Sequence, residues 1–159
     1  DKAFPFKALQ QSHALQQTDL FRGLDTDAIS KIIDAMEFRK FEAGTHLVIQ
    51  DEAASELMVI MQGSATVHRH DAMVRRFGKF DIIGEIAVLP GEHVRGATVT
   101  AEGGEVTALV LCKDRYCQLK AEGVISDEIH EIARRKSEHY LRLDLAASQT
   151  VGQPPPPEL

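Results

Sequence analysis

In the run Ile83–Val99, Ile-Gly-Glu-Ile-Ala-Val-Leu-Pro-Gly-Glu-His-Val-Arg-Gly-Ala-Thr-Val, two residues stand out for their chemistry and their neighbours, Glu85 and Arg95, ten positions apart. A guanidinium offers a planar fork of donors that fits phosphate oxygens, whereas an ionised carboxylate only accepts and so suits sugar hydroxyls. Small residues at Gly84, Ala87, Gly96 and Ala97 let backbone approach a ligand closely. A short helix starting near Gly84 and running through Ile86 and Ala87 would aim unpaired N–H groups outward, and its positive end would favour an anion. The pattern is a cradle for one phosphate and one sugar.

The flanking segments must position that cradle. The run Lys7–Thr18 is rich in helix formers, and Asp25-Thr26 can cap a second helix with Ile29, Ile32, Ile33 and Met36 at helical spacing. After Met36 the apolar residues come in short runs broken at Ala43-Gly44, Asp51-Glu52, Gln62-Gly63 and His70-Asp71, which is all-β patterning. Leu57–Met61 is continuously apolar and reads as a strand buried on both faces. Two more strands are predicted at Thr98–Ala101 and Val106–Leu111, joined through Glu102-Gly103-Gly104. Helix returns at Asp114, a predicted cap, and at Ser126, with Ile129, Ile132, Ala133, Tyr140 and Leu143 as the apolar stripe.

Composition narrows the function. With 24 acidic against 18 basic residues the net charge is −6 and the pI about 5.6, so no broad basic field draws in nucleic acid or anionic lipid. No apolar run approaches the roughly 20 residues of a membrane span, and no signal-peptide pattern is present. The start without Met and the end in Gln-Pro-Pro-Pro-Pro-Glu-Leu read as marks of a segment of a larger polypeptide. Cys112 and Cys117 are too few for a disulfide scaffold or an all-cysteine iron–sulfur site. The expected setting is cytoplasmic, either free or as the cytosolic portion of a membrane protein, with no direct membrane contact by this segment.

From Leu20 to about Leu143 the chain resembles a cyclic nucleotide-binding domain, the module of protein kinase A regulatory subunits, cyclic-nucleotide-gated channels and the bacterial catabolite activator protein. Leu20-Phe21-Arg22-Gly23-Leu24, Phe41–Thr45 and Leu57–Gly63 match fold markers of the family. Its phosphate-binding cassette falls on Gly84-Glu85-Ile86-Ala87 and Arg95-Gly96-Ala97-Thr98-Val99. The resemblance implies a mainly β fold with flanking α-helices: an eight-stranded jelly-roll barrel with N-terminal helices, a short cassette helix and C-terminal helices. It divides the chain into an N-terminal helical segment or linker (1–19), the binding domain (20–145) and a flexible Pro-rich tail (146–159). It implies that Glu85 binds the ribose 2′-hydroxyl and Arg95 the cyclic phosphate, with backbone N–H groups at Ala87 and Gly96 assisting. The Glu85–Arg95 spacing is one residue longer than in the kinase regulatory subunits and matches the bacterial activator, which places the extra residue in the Pro90–Val94 loop. Val94 stands where the family usually has proline, and Gly96 where members that favour cGMP carry a hydroxyl, so the expected ligand is cAMP, with cGMP left open.

The expected function is therefore non-enzymatic: a cyclic purine nucleotide binds, and occupancy is relayed through the C-terminal helices to a channel, transporter, kinase or other effector. The hinge is placed in Lys113–Gly123, and Ile132, Tyr140 or Leu143 is expected to cap the base. One alternative keeps the fold without ligand, as a scaffold or dimerisation module; homo-oligomerisation is open in either case. Another starts from His68-Arg69-His70, whose alternate side chains on a strand could ligate a metal in a cupin-like enzyme. No glutamate follows to complete that pattern, and no serine or cysteine sits in a nucleophile setting, so no metal and no catalytic residue is assigned.

Overall fold

The computed structural model describes residues 4–152. Its elements are α1 (Phe4–Gln16), α2 (Thr26–Asp34), β1 (Glu37–Phe41), β2 (His46–Val48), β3 (Glu56–Arg69), β4 (Ala72–Phe77), β5 (Ile82–Ile83), a 3₁₀ turn (Glu85–Val88), β6 (Thr98–Cys112), α3 (Lys113–Ala121) and α4 (Asp127–Gly152). The strands form one antiparallel sheet ordered β1-β6-β3-β4, with β2 added to β6 and β5 to β3. Two apolar clusters sandwich it. Along β3, Leu57 and Val59 face a cluster built with α1, α2, α3 and α4, while Met58 and Ile60 face a second cluster inside the bent sheet. Alternation along an extended strand explains how this run is buried on both sides.

The expected eight-stranded closed barrel is corrected to six strands in an open path among the described residues. Gln62-Gly63 and Glu102-Gly103-Gly104 are not turns between strands; they are irregularities inside two long ones, β3 and β6. Gln62 pairs with Thr107 and Ser64 with Glu102, so β6 carries several extra residues opposite Gly63. Bulges of this kind bend a strand without ending it. Gly63 has φ +97°, and a Cβ there would lie 2.6 Å from Glu105 O, so only glycine passes through this corner.

The helices follow their local signals with two exceptions. Asp25 accepts from Ala28 N at 2.8 Å and caps α2, whose Ile29 and Ile32 are buried. Ser126 Oγ accepts from Ile129 N at 3.2 Å at the start of α4. Asp114 does not cap α3: the N-cap is Cys112, without a side-chain bond, and Asp114 sits in the first turn. Nor does α4 end at the expected tail boundary: it continues past Ala146 to Gly152, because Ala-Ala-Ser-Gln contains no helix breaker. The proline run lies outside the described residues. Among them, no helix is long and apolar enough to cross a membrane.

Candidate ligand-binding site

β5 pairs with β3 at Met58 and Val59, which delivers Gly84 and the 3₁₀ turn to the side of Glu56. The other arm is held by backbone bonds to the segment after β2: Arg95 N donates to Glu52 O (2.8 Å), Asp51 N to Arg95 O (2.9 Å) and Ala54 N to His93 O (2.8 Å). The two halves of the motif therefore meet, and Gly84, Glu85, Ile86, Arg95, Gly96 and Ala97 all border one cavity of about 80 Å³.

Gly84 makes the meeting possible. It has φ +79°, and a Cβ on it would lie 2.0 Å from Arg95 Nη1. Arg95 is 6% exposed; its Nη2 donates to Glu56 O at 2.6 Å, while Nη1 is buried with no hydrogen-bond acceptor. A buried guanidinium N–H without an acceptor is costly, and an anion would satisfy it. Burial lowers the Arg95 pKa and the charge of Glu56 opposes the shift; at its high ordinary value the group stays cationic. Glu85 is 4% exposed. Desolvation pushes its carboxyl up to about 7, against its own backbone N–H and the charges of Lys136 and Arg75, with Asp81 adding to the rise.

The helix-dipole part of the expectation changes. The cassette helix is a four-residue 3₁₀ turn, too short to sum a large dipole, and Ala87 N–H donates to Gly84 O at 3.0 Å, which occupies it internally. Ala87 is fully buried and does not border the cavity. Thr98 also lies off the cavity wall; its Oγ1 accepts from Gln50 N at 2.9 Å. At the two arms of the motif, the positive charge offered to a ligand is thus that of Arg95, rather than a helix dipole.

Helix α4 lies over the cavity mouth. Of the three expected lid residues, Tyr140 borders the cavity, Ile132 packs against the helical core, and Leu143 is 48% exposed. The inward ridge is Ala133, Ser137 and Tyr140, one helical stripe; Leu141 reaches the cavity only from its rim and is 42% exposed, and Leu143 does not border it. The sequence reading missed Arg75, Phe77, Ser137 and Leu141. Arg75 sits 4.0 Å from the Tyr140 ring centroid and 4.7 Å from that of Phe77, clasping β4 to α4 by cation–π contact. Arg75 and Phe77 alternate along β4, a signal present in the sequence; Leu141 was visible only as an apolar residue adjoining Tyr140. Lys136 donates to Asp19 at 2.9 Å and ties α4 to the connection after α1. Burial works against the Lys136 ammonium, yet the Asp19 bond leaves its pKa raised, and the same bond lowers that of Asp19.

The histidines do not form the expected strand pair, since β3 ends at Arg69 and His70 has φ +50°. Among the described residues no group of three or more metal-binding side chains converges.

The family profile described as cyclic nucleotide-binding domain matches residues 38–122. The chain is 25% identical over 115 residues to cGMP-dependent protein kinase 2 of Homo sapiens, covering 69% of this chain and 15% of the kinase. It is 28% identical over 134 residues to a cGMP-dependent protein kinase of Eimeria tenella, covering 84% of this chain and 13% of that kinase. The chain thus spans about one seventh of the length of these relatives. The regulatory domain of Toxoplasma gondii protein kinase A, solved with cAMP, superposes with TM-score 0.68 at 25% identity, over 79% of this chain and 47% of that one. With the profile spanning more than half of the sequence and the Gly84–Arg95 cradle inside it, this chain belongs to the cyclic nucleotide-binding domain family.

Proposed function

We propose that the chain is a non-catalytic sensor that binds a cyclic purine nucleotide and relays occupancy through α4 to an effector elsewhere in a larger, cytosolic polypeptide. The observation that carries this reading is the buried Arg95 Nη1 without an acceptor, seated on Gly84 in the cavity that Glu85 also borders. A cyclic phosphate satisfies the guanidinium, and a ribose hydroxyl donates to the carboxylate.

cAMP is the ligand that Gly96 favours, because no hydroxyl there meets the 2-amino group of guanine. A second reading, cGMP, is favoured by Arg75: an arginine donates well to the O6 and N7 acceptors of guanine, whereas adenine presents a donor at N6. The cavity borders both residues.

Calorimetric titration of the purified chain with cAMP, cGMP and 5′-AMP tests the proposal. Saturable binding of a cyclic nucleotide, lost in a folded Arg95→Glu variant, is expected; removing a buried charge-paired contact costs on the order of 2–5 kcal/mol, roughly 30-fold to several-thousand-fold in affinity. No binding by the wild type, or undiminished binding by the variant, refutes it, and the former result leaves the scaffold reading.

A further inference from the structure

Arg69, the last residue of β3, stands outside the cavity wall yet donates from Nη1 to Gly96 O at 2.7 Å. The hairpin bends sharply just after it: His70 and Asp71 have φ +50° and +67°, the paired left-handed residues of a two-residue β-turn. Gln50 adds a second tie between the same parts. His70 N donates to Gln50 Oε1 at 3.0 Å, and Gln50 N donates to Thr98 Oγ1 at 2.9 Å. The hairpin tip is therefore fastened to the arm of the motif that follows Arg95.

The bonds to the two carbonyls fix two peptide planes. In a trans peptide the C=O and the next N–H point to opposite sides. Asp51 N–H holds Arg95 O at 2.9 Å, so Gly96 N–H faces away from Asp51. Arg69 holds Gly96 O, so Ala97 N–H faces away from Arg69. Gly96 and Ala97 border the cavity, whereas Asp51 and Arg69 do not; both N–H groups thus face away from the protein groups that hold the carbonyls, on residues that line the ligand side. At a glycine, backbone sterics alone would not hold that plane.

We propose that Arg69 is a positioning residue for the anionic end of the ligand: it orients the Gly96–Ala97 peptide so that Ala97 N–H joins Gly96 N–H, which Asp51 orients, as a backbone donor beside the Arg95 guanidinium. Arg69 Nε is buried without a hydrogen-bond partner, so the guanidinium gives up one bond of its own where it makes the one to Gly96. The proposal rests on the cyclic nucleotide reading above, and the phosphate is the part of the ligand that it concerns.

The test is calorimetry on the whole chain with cAMP, its Sp and Rp phosphorothioates and 2′-deoxy-cAMP, for wild type, Arg69→Gln and Arg69→Lys, with thermal melts of each. Arg69→Gln is expected to lose roughly two- to tenfold in cAMP affinity, the worth of one aligned hydrogen bond. The Sp-to-Rp affinity ratio should move toward one, because the two exocyclic oxygens no longer meet differently held donors, while the 2′-deoxy penalty stays as in wild type. Arg69→Lys, which keeps a cation able to reach Gly96 O, should restore both. Unchanged affinity and ratio in Arg69→Gln, or an equal loss for every analogue with all ratios preserved, overturns the proposal. Absence of cyclic nucleotide binding by wild type overturns the underlying reading, and this proposal with it.

Discussion

Replacing Glu85 by Gln should change how stability depends on pH, and the sign is unusual for a carboxylate. The Glu85 carboxyl has a pKa of about 7 in the fold against an ordinary 4.5, with desolvation the main cause. Between those values the folded state holds a proton that the unfolded state has lost, so ΔG of unfolding falls as pH rises through the window. The stabilisation is complete below pH 4.5 and gone above about pH 7. At 1.36 kcal/mol per pH unit, the rise from 4.5 to about 7 is worth about 3 kcal/mol. Gln is neutral throughout and removes this dependence. Urea unfolding of the ligand-free chain at pH 5, 6, 7 and 8 should show Glu85→Gln gaining on wild type with pH, by up to about 3 kcal/mol at the alkaline end; comparing the two proteins cancels the other titrating groups. Parallel stability–pH curves would refute the reasoning. A nucleotide whose hydroxyl donates to the ionised carboxylate must also expel this proton. Affinity should therefore decline below about pH 7, and binding heats should depend on buffer ionisation in wild type but not in Glu85→Gln.

Gly84→Ala should abolish nucleotide binding and destabilise the fold by at least about 2 kcal/mol in urea unfolding, because a non-glycine residue is strained at this φ and its Cβ would displace the Arg95 guanidinium from Glu56 O; near-wild-type affinity would refute the close approach. In competition assays Gly96→Thr should shift selectivity toward cGMP and Arg75→Ala toward cAMP, each by roughly tenfold, and a shift of either in the opposite sense would remove the role given to that residue. Hydrogen exchange across 126–143 should slow when nucleotide saturates the chain, and Tyr140→Ala should weaken binding; identical exchange with and without ligand would move the relay away from α4.

How much of this was legible in the sequence depended on whether the signal was local. The two arms of the motif were readable because residue type and spacing alone specify the chemistry, and the structure brings Glu85 and Arg95 to one cavity. The capped start of α2 was equally local, since Asp25 needs only Ala28 to act. The strand count was not. Gly63 and Gly103 look like turn residues, and whether a left-handed glycine ends a strand or bends it is decided by the partner strand, here through the offset between Gln62–Thr107 and Ser64–Glu102. The roles of Arg75 and Arg69 were hidden for the same reason. Each acts across the fold, one on Tyr140 and one on Gly96; alternation with Phe77 gave the face of Arg75 but not its partner on α4, and nothing local marked Arg69. The lid residue was half legible: the stripe on α4 was visible, but only its packing phase sets Tyr140 against Phe77 and Arg75 and leaves Leu143 off the cavity.

The size of the cavity constrains the proposed relay. Ligand sites commonly measure ~300–1,000 Å³, whereas the cavity that both arms of the motif border is about 80 Å³ and a second one, of about 200 Å³, lies on the other side of Glu85 and Tyr140; Tyr140 borders both, so in the proposed reading it is the residue that gives way to a nucleotide. What holds it is modest. The Lys136–Asp19 pair is partly exposed, and exposed pairs contribute about 0–1 kcal/mol once screening is counted. The Arg75–Tyr140 contact adds about 0.5–2 kcal/mol. An opening cost of this size falls in the range of ~1–3 kcal/mol by which one ligand typically shifts a two-state element. Gly123, at φ +79° between α3 and α4, already occupies a backbone state that a glycine can leave or enter cheaply. The same contacts fix the direction of the coupling. In the proposed reading, a base entering beside Tyr140 would meet the Arg75–Tyr140 contact, and because Lys136 lies close enough to affect the titration of Glu85, a ligand that ionises Glu85 would strengthen the pull on Lys136. The proposed movement of α4 would then be a rearrangement of one charged cluster, which the Lys136–Asp19 bond would couple to the connection after α1.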